Sequence, residues 1–233
     1  MRILTEYLEK WNITLSESQV QQFEDYYELL IRRNEVMNLT AITDRAEVQE
    51  KHFLDSLALT LAVPLRGDES LIDIGTGAGF PGIPLKIAFP EMKIILADAL
   101  HKRVGFLNEV IDRLSLDGIT AVHARAEDLG HDPAYRESFD LCVSRAVAPL
   151  NLLSEYCLPL VKRGGLFAAY KSVNVREEAE QAGRAFTELG GGPARISELT
   201  LGPSNLPRSF VIVPKTGTTP EKYPRAKAKK KPL

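Results

Sequence analysis

The N-terminal part of the chain repeats apolar residues at helical spacing. Ser16-Glu17-Ser18-Gln19 has the form of a capping box that opens a helix, and Val20, Phe23, Tyr27, Leu30 and Ile31 follow on one face. Asp44 and Glu47 repeat the start signal, and Phe53, Leu54, Leu57 and Leu61 carry a helical stripe as far as Pro64. Beyond that proline the period changes. Short apolar runs predict strands over Leu71–Ile74, Lys93–Asp98, Ile119–His123, Phe139–Ser144 and Leu166–Lys171, with helical patterns near Gly82–Phe89, His101–Leu116 and Leu150–Val161 between them. Strands alternating with helices imply a parallel sheet with right-handed crossovers. A further helix near Val175–Leu189 leads to strands near Arg195–Leu201 and Ser209–Val213, and their short connection, LGPSNLPR, suits an antiparallel hairpin. The expected organisation is a helical cap over residues 1–65, an α/β domain over 66–214 and a basic tail over 215–233.

Composition narrows the class of protein. The chain is 44% hydrophobic and 26% charged, as in soluble globular proteins, and no apolar run approaches the roughly 18 residues of a membrane span. The start, MRILTEYLEKWN, lacks the basic-then-apolar order of a signal peptide, so a cytoplasmic protein is expected. A monomer is expected as well. Cys142 and Cys157 have no metal or redox spacing and are expected to be buried thiols. The histidines are scattered without ligand spacing, so no metal site is expected. The net charge of -2 conceals an asymmetry: from Pro214 onward there are seven Lys or Arg and one Glu, a net +6, which leaves -8 on the remainder. Such a tail suits phosphates.

The most informative stretch is LIDIGTGAGFPGIPL, Leu71 to Leu85. Gly75, Gly77, Gly79 and Gly82 remove side chains where a strand turns into a helix, so a ligand can approach bare backbone at the carboxyl edge of the sheet. Gly77-Ala-Gly79-Phe-Pro-Gly82 matches the dinucleotide fingerprint literally, which leaves a nicotinamide-dependent oxidoreductase open. Two features favour a cation instead. Pro81 and Pro84 withdraw N–H donors from the helix start, and Asp73 adds negative charge where a pyrophosphate would sit. S-adenosylmethionine carries a sulfonium and an ammonium and no phosphate. Asp98, at the end of the second predicted strand, is placed to accept ribose hydroxyls in either case.

Asp73-Ile-Gly-Thr-Gly-Ala-Gly79 resembles the first motif of the class I methyltransferases. Asn38-Leu-Thr40, His52-Phe-Leu-Asp-Ser-Leu57, the glycine loop, Lys102-Arg-Val-Gly-Phe-Leu107, Arg125-Ala-Glu-Asp128 and Ser144-Arg-Ala-Val-Ala148 occur in this order. Together with Tyr223-Pro-Arg225 they make nearly the whole chain resemble the bacterial small-subunit ribosomal RNA guanine-N7 methyltransferases, the glucose-inhibited division protein B family. The resemblance implies a class I S-adenosylmethionine-dependent methyltransferase fold: a Rossmann-like, mostly parallel seven-stranded sheet with an antiparallel last hairpin and an N-terminal helical extension. It also implies a target in the decoding-region loop of 16S ribosomal RNA. Residue by residue, it places Gly75 and Phe80 against the cofactor, Asp98 at the ribose, Ala126 and Glu127 beside the adenine, and Arg145 near the methyl donor or the incoming base. Departures fall at Lys171-Ser172, where the family usually has Lys-Gly, and at Asp98-Ala99, where a serine is usual.

Guanine N7 has an in-plane lone pair and no proton, so methyl transfer needs alignment and desolvation but no general base. Asn38 and Arg145 are candidates for positioning the base, and His52 reads as a satisfied helix histidine. Lys171, Lys222, Arg225, Lys227, Lys229, Lys230 and Lys231, with Lys215, are candidates for RNA phosphates. The same features leave open an RNA-binding or ribosome-assembly module that retains S-adenosylmethionine. If the tail clamps phosphates, removing it should flatten the salt dependence of binding to small ribosomal subunits by about 0.7 to 0.9 in log-log slope per lost contact. An unchanged slope would make the tail a passenger.

Overall fold

The computed structural model describes residues 1–145, 148–172, 175–226 and 233. Seven strands form one sheet: β1 (Ser70–Ile74), β2 (Lys93–Asp98), β3 (Ile119–His123), β4 (Phe139–Ser144), β5 (Val161–Lys171), β6 (Arg195–Leu201) and β7 (Leu206–Pro214). Their order is β3-β2-β1-β4-β5-β7-β6. The first five are parallel, and β7 runs antiparallel to both β5 and β6. The order reverses beside β1, so a crevice opens at the carboxyl ends of β1 and β4.

The two faces of the sheet are covered by different parts of the chain. On one face lie α1 (Arg2–Lys10), α2 (Glu17–Met37), the short helices α3 (Arg45–Val48), α4 (Asp55–Leu57) and α5 (Leu59–Ala62), α6 (Gly82–Ala88) and α7 (His101–Arg113). On the other lie α8 (Ala126–Leu129), α9 (Leu150–Cys157) and α10 (Val175–Glu188). Leu4, Leu8, Phe23 and Phe53 share one core with Leu71, Ile94 and Leu96 of the sheet. The N-terminal helices are therefore built into the sheet's own core.

The capping box forms as expected, with Gln19 N donating to Ser16 Oγ at 3.2 Å and Ser16 N to Gln19 Oε1 at 2.8 Å. The buried face of α2 is rotated from the expected one, however. Tyr26 and Leu29 are buried with Phe23 and Leu30, while Tyr27 and Ile31 are only half-buried. Tyr26 points inward because its hydroxyl has a partner there, donating to the Ala78 carbonyl at 2.5 Å. Between α3 and α4 the chain forms a π-helical turn, Gln49–Leu54, where one continuous helix was expected. The helix expected to reach Val161 stops at Cys157; a 3-10 turn with Pro159 follows, and β5 begins at Val161 rather than Leu166. A proline has no N–H to extend the helix and disfavours helical geometry in the residue before it.

The tail does not begin at residue 215. Lys215 is 1% exposed, its ammonium donating to Leu158 O and paired with Glu137 at 3.0 Å, so it cannot reach a phosphate. Arg136 donates to the Thr219 and Tyr223 carbonyls, and His131 Nε2 bonds Pro224 O. Arg225 closes the run. Its Nε and Nη2 grip both oxygens of the fully buried Glu155 at 2.8 and 2.7 Å, which gives it a folding role. Lys222 stays exposed and pairs with Glu188. Lys227, Lys229, Lys230 and Lys231 lie outside the described residues, so the salt-slope test belongs at those four positions and not at a truncation after Lys215.

Arg225→Ala leaves the Glu155 carboxylate buried without its guanidinium, and should lower unfolding free energy by about 3 kcal/mol. Urea unfolding would measure it. A midpoint equal to wild type would mean that residues 216–226 are not part of the cooperative fold.

Candidate active site

The sheet's crevice is organised by the loop between β1 and α6. Gly75, Gly77 and Gly79 have φ of 70°, 64° and 102°, values that suit glycine. They do different work. A Cβ on Gly79 would lie 2.4 Å from Ile83 and 2.9 Å from the Tyr26 hydroxyl, so this glycine lets the loop pack on the helices beneath. A Cβ on Gly77 would meet nothing closer than 4.0 Å, because this glycine faces the crevice.

Most of the loop's N–H groups are already committed, with Ala78 N the exception among the described residues. Gly75 and Thr76 donate to Ala97 O, Gly79 and Phe80 to Thr76 O, and Gly77 to Asp98 Oδ2 at 3.0 Å. At the start of α6, Gly82 N donates to Asp73 Oδ2 at 2.9 Å, Ile83 N to Gly79 O, and Pro84 has no donor. No set of free amides is left there to cradle a pyrophosphate, and two carboxylates stand beside the loop. This local electrostatic environment repels phosphate and suits a cation.

Asp73 is fully buried beneath the loop. Its Oδ2 also accepts from Thr76 Oγ1 at 2.6 Å, while Oδ1 has no hydrogen-bond partner among the described residues. Burial pushes its carboxyl up from 3.8 to about 6, against the pull of Thr76, Gly82 and Arg145. Asp73 therefore acts from below, as a negative charge and a brace for the loop, and does not face the crevice openly. Asp98, 4% exposed, accepts from Gly77 N, from Leu100 N at 2.9 Å and from Arg103 Nη1 at 3.3 Å. Of roughly four acceptor directions on a carboxylate, about one remains for a ligand.

Three cavities meet around this loop. A slot of about 390 Å³ runs from Gly75 along Ala97, Asp98 and Ala99 to Ala126 and Glu127, and its far wall is Pro149, Leu152, Leu153 and Tyr156 of α9. Its apolar walls and polar rim fit a flat ring. The Tyr156 hydroxyl is pushed up to about 12, first by burial and then by Glu127. A second cavity, lined by Thr40, His52, Gly77, Phe80, Arg103 and Arg145, lies over the other side of the loop. A third, of about 590 Å³, opens beside it and shares His52 and Arg145 with it; Lys51, Asp55, Tyr170, Lys171, Glu178 and Arg208 complete its charged and aromatic lining. Four cations against two carboxylates make this cavity positive.

Arg145 stands where the second and third cavities join. Its Nη1 donates to Lys51 O at 3.2 Å and Asp55 Oδ2 at 3.0 Å, and its guanidinium lies 4.9 Å from the Phe80 ring centroid. His52 stacks on the same ring, 4.5 Å from Phe80 and with Nδ1 3.4 Å from Arg145 Nη2, and its Nε2 is bonded to Thr40 Oγ1 at 2.8 Å. Burial, with Arg145 adding to it, lowers the His52 imidazole to about 3, so it stays neutral at physiological pH. The histidine is satisfied, as expected, yet it also forms the wall of two cavities.

Of the expected residues, Gly75, Gly77, Phe80, Asp98, Ala126, Glu127, Arg145 and Lys171 line the crevice. Lys171 is held by Glu178 and the Ala148 carbonyl at 2.8 and 2.9 Å, so its charge is largely neutralised. Asn38 lies outside the three cavities. It is the left-handed C-cap of α2, φ 51°, and the exposed residue there turns the chain so that Leu39 and Thr40 enter the second cavity instead. Gly79 and Asp73 support the loop from behind. Lys51, Asp55, Tyr170 and Arg208 were missed by sequence reasoning; Asp55 was within reach as the acidic residue of His52-Phe-Leu-Asp55, but Arg208 had no local signal.

A parallel sheet of this strand order with a reversed seventh strand, and a glycine loop after β1 at its carboxyl edge, defines the class I methyltransferase fold. Solved structures share the architecture: the YcgJ protein from Bacillus subtilis has a TM-score of 0.54 at 14% identity, covering 71% of this chain and 100% of its own. TYW2 from M. jannaschii, solved in complex with AdoMet, has a TM-score of 0.54 at 11% identity over 70% of this chain and 76% of its own. Residues 19–206 match the family described as rRNA small subunit methyltransferase G, GidB, and the chain belongs to that family. A relative named ribosomal RNA small subunit methyltransferase G from Thermoanaerobacter sp. (strain X514) is 48% identical over 97% of this chain and 94% of its own length. One from Pelotomaculum thermopropionicum is 51% identical over 91% and 89%.

Asp73 and His52 titrate in opposite senses. A carboxyl raised in the folded state contributes stability below its unfolded value of 3.8 that is lost as pH rises through about 6; an imidazole lowered to about 3 contributes stability above 6.5 that is lost as pH falls. Between pH 6.5 and 4 the Asp73 gain, up to about 3 kcal/mol at two pK units, offsets part of the His52 loss. Asp73→Asn should therefore lose stability more steeply than wild type on acidification from pH 6.5 to 4. Parallel unfolding curves for the two proteins would contradict this assignment.

Proposed function

We propose that this protein transfers a methyl group from S-adenosylmethionine to N7 of a guanine in the decoding-region loop of 16S ribosomal RNA. The observation that carries the reading is the meeting of a purine-sized slot, a cation-favouring glycine loop and a positive cavity at Gly75, His52 and Arg145. The residues fit this cofactor: the slot has flat apolar walls for adenine, Asp98 offers an acceptor at the ribose position, and the loop offers negative charge with a single uncommitted amide, too few to cradle a phosphate. When bound, the cofactor supplies an electrophilic methyl on a sulfonium.

The chain's own residues align and desolvate. Ala126 and Glu127 would border the adenine end, and Asp98 would hold a ribose hydroxyl with its remaining acceptor direction. Phe80, stacked against His52 and Arg145 in the second cavity, would shield the methyl-bearing end of the cofactor from water. Arg145 cannot take a proton, and neutral His52 has both ring nitrogens engaged, so neither serves as a general base. None is needed, since N7 carries no proton. Methylation leaves the purine positively charged. Asp55, held on Arg145 at 3.0 Å, offsets the guanidinium so that the forming cation is not repelled.

The substrate is the small ribosomal subunit or its 16S RNA. The test is methyl transfer from labelled S-adenosylmethionine to small-subunit particles lacking the modification, followed by digestion and mass spectrometry of the nucleosides. N7-methylguanosine at one site is expected, with Asp98→Ala weakening cofactor binding about tenfold or more for the loss of one charge-assisted hydrogen bond. Labelling of another base would overturn the target, and absence of cofactor binding would overturn the reading of the loop.

A further inference from the structure

We infer that Arg208, on the antiparallel hairpin strand β7, holds a backbone phosphate of the RNA beside the target guanosine, and that the buried Asp55 fixes it in place for that contact. The inference rests on the function proposed above and concerns the third cavity.

The cations of that cavity are not equivalent. Lys171 is held by Glu178 and a carbonyl, Lys51 pairs with Glu47, and Arg145 is held by Asp55 and Lys51 O beside the aromatic wall. Arg208 is different. Its Nε donates to Asp55 Oδ1 at 2.7 Å and its Nη1 to Pro207 O at 3.0 Å, while Nη2 has no protein partner among the described residues. Its side chain is 22% exposed and lines the cavity. A guanidinium anchored through one edge, with a free N–H at the other, presents a directed charge-assisted donor at little entropic cost.

The anchor is rigid. Asp55 is 2% exposed and gives one oxygen to each arginine, so the two guanidiniums are fixed relative to one another across the cavity. The hairpin that carries Arg208 is pinned a second time at its tip, where Ser204 N and Oγ donate to Glu50 Oε1 at 2.9 and 2.5 Å and Gly202 packs on the same carboxylate. With Arg145 facing the methyl end and Arg208 facing outward, a guanosine entering between them places its base toward the first and its phosphate toward the second. The ligand is an RNA phosphodiester; an anionic protein surface would need no such anchored single donor.

The test compares wild type, Arg208→Gln and Arg208→Lys with unmodified small-subunit particles. Equilibrium binding is measured across a salt series, methyl transfer at saturating cofactor, and cofactor affinity separately. Arg208→Gln can still donate to Asp55 but carries no charge. It is expected to raise KM for particles about tenfold, to reduce the log-log salt slope by about 0.7 to 0.9, and to leave kcat and cofactor affinity within about twofold. Arg208→Lys is expected to keep the slope. Wild-type KM and slope in Arg208→Gln, or equal loss in both variants with weakened cofactor binding, would overturn the inference in favour of a purely structural arginine. Because the slope is read from binding, it decides the matter even if wild type transfers no methyl group, an outcome that would instead overturn the proposed function.

Discussion

A single turn of π-helix, Gln49–Leu54, sets the positions of the elements around the crevice. Widening a helix by one residue releases carbonyls from the regular ladder and turns side chains to new faces. Gln49 Oε1 accepts from the first turn of α1, Glu50 fixes the hairpin tip, Lys51 O receives Arg145, and His52 enters the crevice wall. Just beyond it, Asp55 joins two arginines and the Ser56 carbonyl accepts from Tyr170 at 2.7 Å. The N-terminal helix, the ends of β4 and β5 and the C-terminal hairpin all meet there. A buried carboxylate shared between two guanidiniums is costly to desolvate and costly to break, so its value is in fixing geometry more than in net stability.

The glycine loop depends on the same N-terminal helices from the opposite side. Tyr26 supports the Ala78 carbonyl and the Phe23, Tyr26, Phe53 and Phe80 rings pack together, with centroid separations of 5.1 to 6.1 Å. A cap that stood apart from the sheet would leave this loop free to move. Because the cap shares the sheet's core, the loop is braced from below by the Tyr26 hydrogen bond and the aromatic cluster.

Much of this architecture could be read from local pattern. The strands β2, β3, β4 and β6 have the bounds expected from the sequence, and the glycine loop announced itself by four absent side chains. Asp98 ends β2, Arg145 directly follows β4, and Glu127 sits in α8 just after β3, places where a motif has a fixed address. What escaped was non-local. The π turn preserves the apolar spacing of an ordinary helix, so its extra residue leaves no trace in the period. Arg208 finds Asp55 across 153 positions, and Lys215 and Arg225 find Glu137 and Glu155 across 78 and 70. A basic tail reads as solvated until the acids that bury part of it are placed in space. Asn38 shows the converse: a motif position drew attention to a polar side chain, where the fold uses its tolerance of left-handed backbone.

The committed amides of the loop also bear on competition inside a cell. Adenine nucleotides share the adenosine half of the proposed cofactor, and a slot that recognised only that half would be crowded by them. Their phosphates would have to lie against Asp73 and Asp98, with Gly77 N, Gly82 N and Ile83 N already bonded and Pro84 offering none. Discrimination is thus built in as a refusal: the commoner adenosine compounds meet a loop whose amides, Ala78 N apart, are already spent on the protein's own acceptors.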